Sequence, residues 1–239
     1  MVFMRDKLII NNKILNDAPE STYLGKRLTV NAVPFGNNFD TGDLENIWVV
    51  LVAGSGDWFN YGVQSDVYHA YQLVHSQGIP DDHIIVMHPD DIAYDKHNPT
   101  PGVIINALNG TNVYEGVPKD YTGNDVTTKN LFGLLSGDSE LVKQGKKVIK
   151  SNPKNRIFVY LMSHGETEIF VFPNEILYAT DLVNTLGELY KQNKYDQLVL
   201  YIESCKSGSM LANKLPNTWN IYAMTASQPD EYAAQYILL

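Results

Sequence analysis

Two side chains suited to nucleophilic catalysis stand at matching places in this chain. His164 lies in Ser163-His164-Gly165-Glu166, and Cys205 lies in Glu203-Ser204-Cys205-Lys206-Ser207-Gly208-Ser209. Each follows a continuous apolar run, RIFVYLM at 156–162 and QLVLYIE at 197–203. If those runs are neighbouring strands, the imidazole and the thiol reach one edge of a sheet together. Thiolate is the attacking form, and an ordinary thiol with a pKa of ~8.5 is mostly protonated at neutral pH, so an imidazole must take its proton. Gly165 lets the backbone approach a substrate carbonyl and offers an N–H to a developing oxyanion. Ser207-Gly208-Ser209 predicts a tight turn into a helix whose N-terminal dipole favours thiolate. A lone cysteine is more often a buried small hydrophobe, and a lone histidine a satisfied core residue. The parallel placement of the two is what favours chemistry.

The elements that must position them follow from hydrophobic patterning. Apolar runs at Ile47–Ala53, His83–His88, Arg156–Met162, Gln197–Glu203 and Trp219–Thr225 read as strands buried on both faces. Between them, Gln64–Gln77, Thr127–Leu135 and Thr180–Gln192 carry helical stripes, with Thr180–Asp181 as a cap and Gly78-Ile79-Pro80 as a stop. Strand and helix in alternation predict an α/β fold with a doubly wound, mainly parallel sheet flanked by helices. Residues 89–126, rich in Asp, Asn, Gly, Pro and Tyr, read as a long loop region on one side of it. Residues 1–45 read as an irregular leader with one short strand at Arg27–Val33, and 46–239 as the domain.

Other motifs carry less. Gly54-x-Gly56 follows a strand, but Phe59 occupies the third glycine position of a dinucleotide loop. Asp90, Asp91 and Asp95 could hold Mg²⁺, yet Pro89 beside them favours a solvated turn. His69, His75, His83, His88 and His97 sit in helix or loop contexts without a spaced carboxylate or thiol set and read as surface or core residues.

Composition bounds the rest. The chain has 239 residues, 18 basic against 27 acidic side chains and a net charge of −9, which describes one globular domain without the basic stripe that nucleic acid requires. With Cys205 as the single cysteine, neither an internal disulfide nor a Cys-rich zinc site can form, and no cofactor is expected. No stretch approaches the ~18 apolar residues of a membrane span. Leu8–Ile10 with Leu15 beyond is too short for a secretory h-region, so no export signal is expected. A monomer is expected.

At these residues the sequence resembles the legumains, asparaginyl endopeptidases of peptidase family C13 with a caspase-like fold. The resemblance runs from Trp48 to about Pro229 and rests on WVVLVAGS at 48–55, FNY at 59–61, HAYQLVHSQGIPDDHIIVM at 69–87, DDIAY at 90–94, NPTPG at 98–102, NGTNVYEGVPKDYTG at 109–123, FPNE at 172–175 and YIESCKSGSM at 201–210. It implies a caspase-like three-layer sandwich and a cysteine endopeptidase acting on protein or peptide substrates after Asn. By the same resemblance His164 is the general base, Cys205 the nucleophile, Asn60 the asparagine that orients the histidine, and Gly165 an oxyanion-hole position. Glu203 and Ser204 fall in the substrate-binding segment. A lysosome- or vacuole-like compartment is implied, and Asn109-Gly110-Thr111 is a glycosylation sequon in keeping with a secretory route.

Departures from the family pattern bear on specificity. Legumains carry Arg-His after the Asn-Tyr pair, where the arginine lines the pocket for the substrate asparagine; here stand Gly62 and Val63. Ser163 replaces an aspartate before the histidine, and Lys206 an acid after the cysteine. DEYAAQYILL at 230–239 replaces the segment expected to supply pocket serines, and the following strand with its aspartate is expected to be missing. The competing expectation is a weak or inactive homologue that binds peptides or regulates, and a third is an unstable fragment.

Overall fold

The computed structural model describes residues 41–233, so the strand expected at Arg27–Val33 lies outside the described residues. In chain order the elements are β1 (Ile47–Ala53), α1 (Tyr61–Ser76), β2 (Ile84–His88), β3 (Tyr121–Thr122), α2 (Thr128–Ser136), α3 (Ser139–Lys143), β4 (Arg156–Met162), β5 (Gly165–Glu166), β6 (Ile169–Val171), β7 (Ile176–Tyr178), α4 (Ala179–Lys191), β8 (Gln197–Glu203) and β9 (Ile221–Thr225). Six strands pair in the order β3-β2-β1-β4-β8-β9, every pairing parallel.

The layers follow from strand alternation. All seven residues of β1 are buried. Trp48, Val50 and Val52 point into one core with Leu131 and Leu134 of α2 and Leu182, Leu186 and Leu189 of α4. Val49, Leu51 and Ala53 point into the other with Val63, Val67 and Val74 of α1. A sheet apolar on both faces must be covered on both, and the result is the caspase-like three-layer sandwich. Truncating a residue such as Leu186, 1% exposed, to alanine removes ~2–5 kcal/mol. Among the described residues no helix is long and apolar enough to cross a membrane.

Two expectations need correction, and one element is new. Thr180 and Asp181 do not cap α4: the helix starts at Ala179, with Tyr178 at the cap position making no side-chain bond, and Asp181 lies in the first turn. Its charge there still complements the helix dipole. The 89–126 region is not loop throughout, because Tyr121–Thr122 adds a short edge strand beside β2. Finally, residues 165–178 fold into a separate antiparallel meander, β5-β6-β7.

Candidate active site

β4 and β8 are adjacent and parallel, with Met162 opposite Glu203. The two chains therefore leave the sheet side by side, and the Ser163 N–H still donates to Glu203 O at 3.1 Å beyond the last paired residues. Gly165 then passes against the neighbouring segment so closely that a Cβ there would sit 2.7 Å from both Cys205 O and Ser204 Oγ. Only glycine fits this approach. The bond from Val171 N–H to His164 O makes Gly165–Phe170 the non-hydrogen-bonded pair of the meander, which leaves the Gly165 N–H outside that ladder.

Cys205 is half-buried at the start of a sharp turn, with Lys206 left-handed at φ 50°. A reciprocal serine clasp fixes the turn. Ser227 Oγ donates to Ser204 O and accepts from Ser207 N–H, both at 3.0 Å, while Ser227 N–H donates to Ser207 Oγ at 3.1 Å. Gly208 N–H donates to Ser227 O and Lys206 N–H to Glu231 O. The helix expected after the cysteine is only a four-residue 3-10 turn, Ser207–Met210. So short an element has no helix dipole to offer the thiol. The Cys205 thiol itself donates to Ala233 O at 3.6 Å. Lys206 pairs with Glu166 and lies 4.7 Å from the Tyr232 ring centre, bracketing the turn. That pair, with Thr167 N–H and the Tyr232 hydroxyl, pushes the Glu166 carboxyl down to about 2.

His164 is exposed, and its Nε2 lies 2.6 Å from Asn60 Oδ1. The amide orientation of Asn60 is settled by its other end, where Nδ2 donates to Gly56 O at 2.6 Å. Since Asn60 offers only an acceptor to the ring, Nε2 is the nitrogen that donates to it, and in the neutral ring Nδ1 is the acceptor.

Glu203 is buried beneath this edge. It lines a small recess of about 10 Å³, room for about one water, with Tyr160, Tyr201, Met224 and Thr225, and among the described residues no basic side chain lines it. Burial raises the Glu203 carboxyl above its ordinary range, partly countered by the hydroxyl of Tyr160 donating to Oε2. Ser204 faces Gly165 rather than that pocket, its Oγ donating to Cys205 O at 3.3 Å. Gly62 and Val63 are buried in the first turn of α1.

The remaining candidates have structural employment. Asp90 holds Lys119 and the Tyr114 hydroxyl, Asp91 accepts from Asp57 N–H and Gln64, and Asp95 pairs with His97. Asp90 and Asp91 tie chain segments together rather than standing in a merely solvated turn, while Asp95 bonds within its own turn. Among the described residues no His, Cys, Asp and Glu group is placed to hold a metal ion. His88 is buried on β2, not in a helix or loop, and bonds Tyr68 Oη and Pro118 O; His83 stacks on Trp48 and His75 pairs with Asp81. Gly54 serves close packing, since a Cβ there would meet Val171 O at 2.4 Å. Tyr160 and Ser227 escaped sequence reasoning. The one signal for Tyr160 was a hydroxyl inside an otherwise apolar strand, which requires a buried partner.

An asparagine-oriented imidazole and a thiol at neighbouring strand ends of a caspase-like sheet define a class, the proteins built as cysteine peptidases are built. Within it, the chain belongs to the Peptidase C13 family, whose profile matches residues 47–236. It is 51% identical over 220 residues to a legumain of Pongo abelii, covering 90% of this chain and 50% of that protein. A legumain of Canavalia ensiformis is 47% identical over 186 residues, 77% of this chain and 39% of its own, and a vacuolar-processing enzyme of Glycine max 45% over 194 residues, 80% and 39%. The chain thus spans about half the length, or less, of these curated relatives.

Proposed function

We propose that this chain is a cysteine endopeptidase in which Cys205 attacks the scissile carbonyl carbon and His164 Nδ1 takes the thiol proton. The Gly165 N–H stabilises the oxyanion. His164 then returns the proton to the leaving amine, and water, deprotonated by the same ring, hydrolyses the thioester and restores the thiol. The observation that carries this reading is the Asn60–His164 bond, which leaves Nδ1 as a proton acceptor at the strand end beside Cys205. Since Cys205 is the single thiol of the chain, one equivalent of a peptidyl electrophile should label one site and abolish hydrolysis, and Cys205→Ala should do the same. Full peptidase activity in Cys205→Ala overturns the mechanism.

The substrate side chain at P1 is assigned to the strand end that carries Glu203, with Asn as the default preference, and the recess there has to widen to admit it. Glu203 accepts from a carboxamide NH₂ or a basic group, while Gly62 offers no cation to the carboxamide oxygen. Unmatched buried polar groups cost ~1–3 kcal/mol each, so preference for Asn over other uncharged or basic residues is weakened, and discrimination against Asp persists at neutral pH. Gly62→Arg sharpens the Asn preference. Comparing kcat/KM for Asn, Asp, Gln, Ala and Lys at P1 tests this, and faster cleavage after Asp than after Asn at neutral pH removes the pocket assignment.

A peptide-binding homologue without turnover is the second reading, favoured by the absence of a basic side chain in the pocket lining. It predicts stoichiometric labelling of Cys205 with no hydrolysis. An acidic lysosomal or vacuolar compartment fits the family, and the sequon residue Asn109 is exposed in a turn at φ 59°.

A further inference from the structure

Asn60 is held by a loop that the catalytic residues do not explain. Residues 54–60 run from β1 into α1, and Asp57 adopts φ 66° and ψ 166°, a region that non-glycine residues enter at a cost of roughly 1–3 kcal/mol. Such a conformation persists only when its surroundings over-determine it. Within the loop, Asp57 Oδ1 accepts from Phe59 N–H at 2.8 Å and Asp57 O from Asn60 N–H at 3.1 Å, so the Asp57 backbone sets where Asn60 starts.

The external clamp is Asp91. Its Oδ2 accepts from Asp57 N–H at 2.8 Å, and its Oδ1 accepts from Gln64 Nε2 at 2.6 Å. Gln64, fully buried on α1, has its amide orientation fixed at the other end, where Oε1 accepts from Tyr68 Oη at 2.9 Å and Asp90 N–H at 3.0 Å. Tyr68 Oη in turn meets His88 Nδ1. The carboxylate also packs on Gly56, where a Cβ would lie 2.6 Å from Oδ2, and Gly56 O is the acceptor that turns the Asn60 amide toward His164.

We infer that Asp91 is a positioning residue, holding the strained loop through Asp57 and Gly56 so that Asn60 fixes the proton of His164 on Nε2 and leaves Nδ1 to the thiol. This deepens the proposed function and rests on it. Asp91 touches neither the histidine nor the cysteine and acts through Asn60 alone.

The test is the rate of Cys205 alkylation by iodoacetamide as a function of pH, measured on the full chain for wild type, Asn60→Ala, Asp91→Ala, Asp91→Asn and the Asn60→Ala/Asp91→Ala double variant. Glu166, Lys206, Tyr232 and Glu203, the ionisable groups around the nucleophile's turn, are unchanged in all of them. In wild type the reactive form persists well below the ~8.5 of an ordinary thiol. Asn60→Ala and Asp91→Ala each slow alkylation at pH 6, on the order of tenfold, less than the ~10² expected from losing the base itself. The double variant is no slower than Asn60→Ala, because the two act in series. Asp91→Asn, which keeps one acceptor oxygen, falls between Asp91→Ala and wild type. Gly56→Ala, whose methyl displaces an intact carboxylate, reproduces Asp91→Ala and serves in its place if that variant does not fold.

Wild-type reactivity in Asp91→Ala, or an effect that multiplies that of Asn60→Ala, overturns the inference and leaves the Cys–His pair standing. An ordinary thiol profile in wild type overturns the pair and the inference with it.

Discussion

The turn that carries Cys205 and the loop that carries Asn60 meet at one edge of the sheet but are fixed by different chemistry. Around the cysteine, buried backbone groups are satisfied by serine hydroxyls and neighbouring backbone: Ser204 O, Ser207 N–H, Gly208 N–H and Lys206 N–H all bond into the segment 227–231. Around the histidine, an exposed ring is oriented by one side-chain amide whose loop is strained at Asp57. The thiol is thus placed by groups whose removal unfolds something, and the imidazole by groups whose removal mostly misdirects a ring. Stability and turnover should separate across the site.

His164→Ala gives the largest effect. Turnover falls by at least ~10²-fold with KM nearly unchanged, while the urea midpoint stays at the wild-type value because the ring is exposed. Matched kinetics and denaturation measure both, and a large stability loss here breaks the comparison.

Ser227→Ala is the converse. Removing a hydroxyl that serves Ser204 O, Ser207 N–H and Ser207 Oγ leaves buried groups unmet at about 1–3 kcal/mol each, so the loss appears first in denaturation. A variant as stable as wild type would show that the clasp is incidental.

Glu203 adds a pH signature to the cysteine side. Its folded pKa is raised by burial, so between the unfolded value near 4.5 and the folded value the native state holds a proton that the unfolded chain has released. Stability therefore declines as pH rises through that window and is level below it. Glu203→Gln, which keeps an acceptor for Tyr160, should flatten the decline, and an unchanged slope assigns it elsewhere.

The smallest effect is expected from Lys206→Met. Glu166 is depressed to about 2 chiefly by Lys206, so the pair stabilises above about 4.5 and its contribution is lost as pH falls toward 2. Because Glu166 is exposed the pair is screened by salt even though Lys206 is partly covered, and the variant should differ from wild type mainly at low ionic strength. A difference that survives high salt would show a tighter clamp than a pair with one exposed partner provides.

The sequence made one part of this arrangement far more legible than the other. β1, β4 and β8 were readable to the residue because a strand buried on both faces is apolar without interruption, and their ends delivered His164 and Cys205. Strands of two or three residues, such as β3 and β5, have no period to read. Asn60 came from resemblance, because nothing in its own spacing distinguishes it from other loop asparagines. Asp91 looked like a cation ligand or a solvated turn residue, since the strained backbone it holds is visible only in three dimensions. The serine clasp was hidden for the same reason, Ser227 lying far along the chain from the turn it closes.

Cys205 sends its S–H toward the Ala233 carbonyl, and the chain contains no second thiol. Oxidation has a direct consequence. A sulfenic acid formed at Cys205 finds no resolving cysteine within this chain to trap it as a disulfide. Return to the thiol therefore depends on a thiol from outside this chain, and where none arrives a second equivalent of oxidant carries the sulfur on to sulfinic acid, so the redox state of the surroundings sets how long Cys205 stays a thiol.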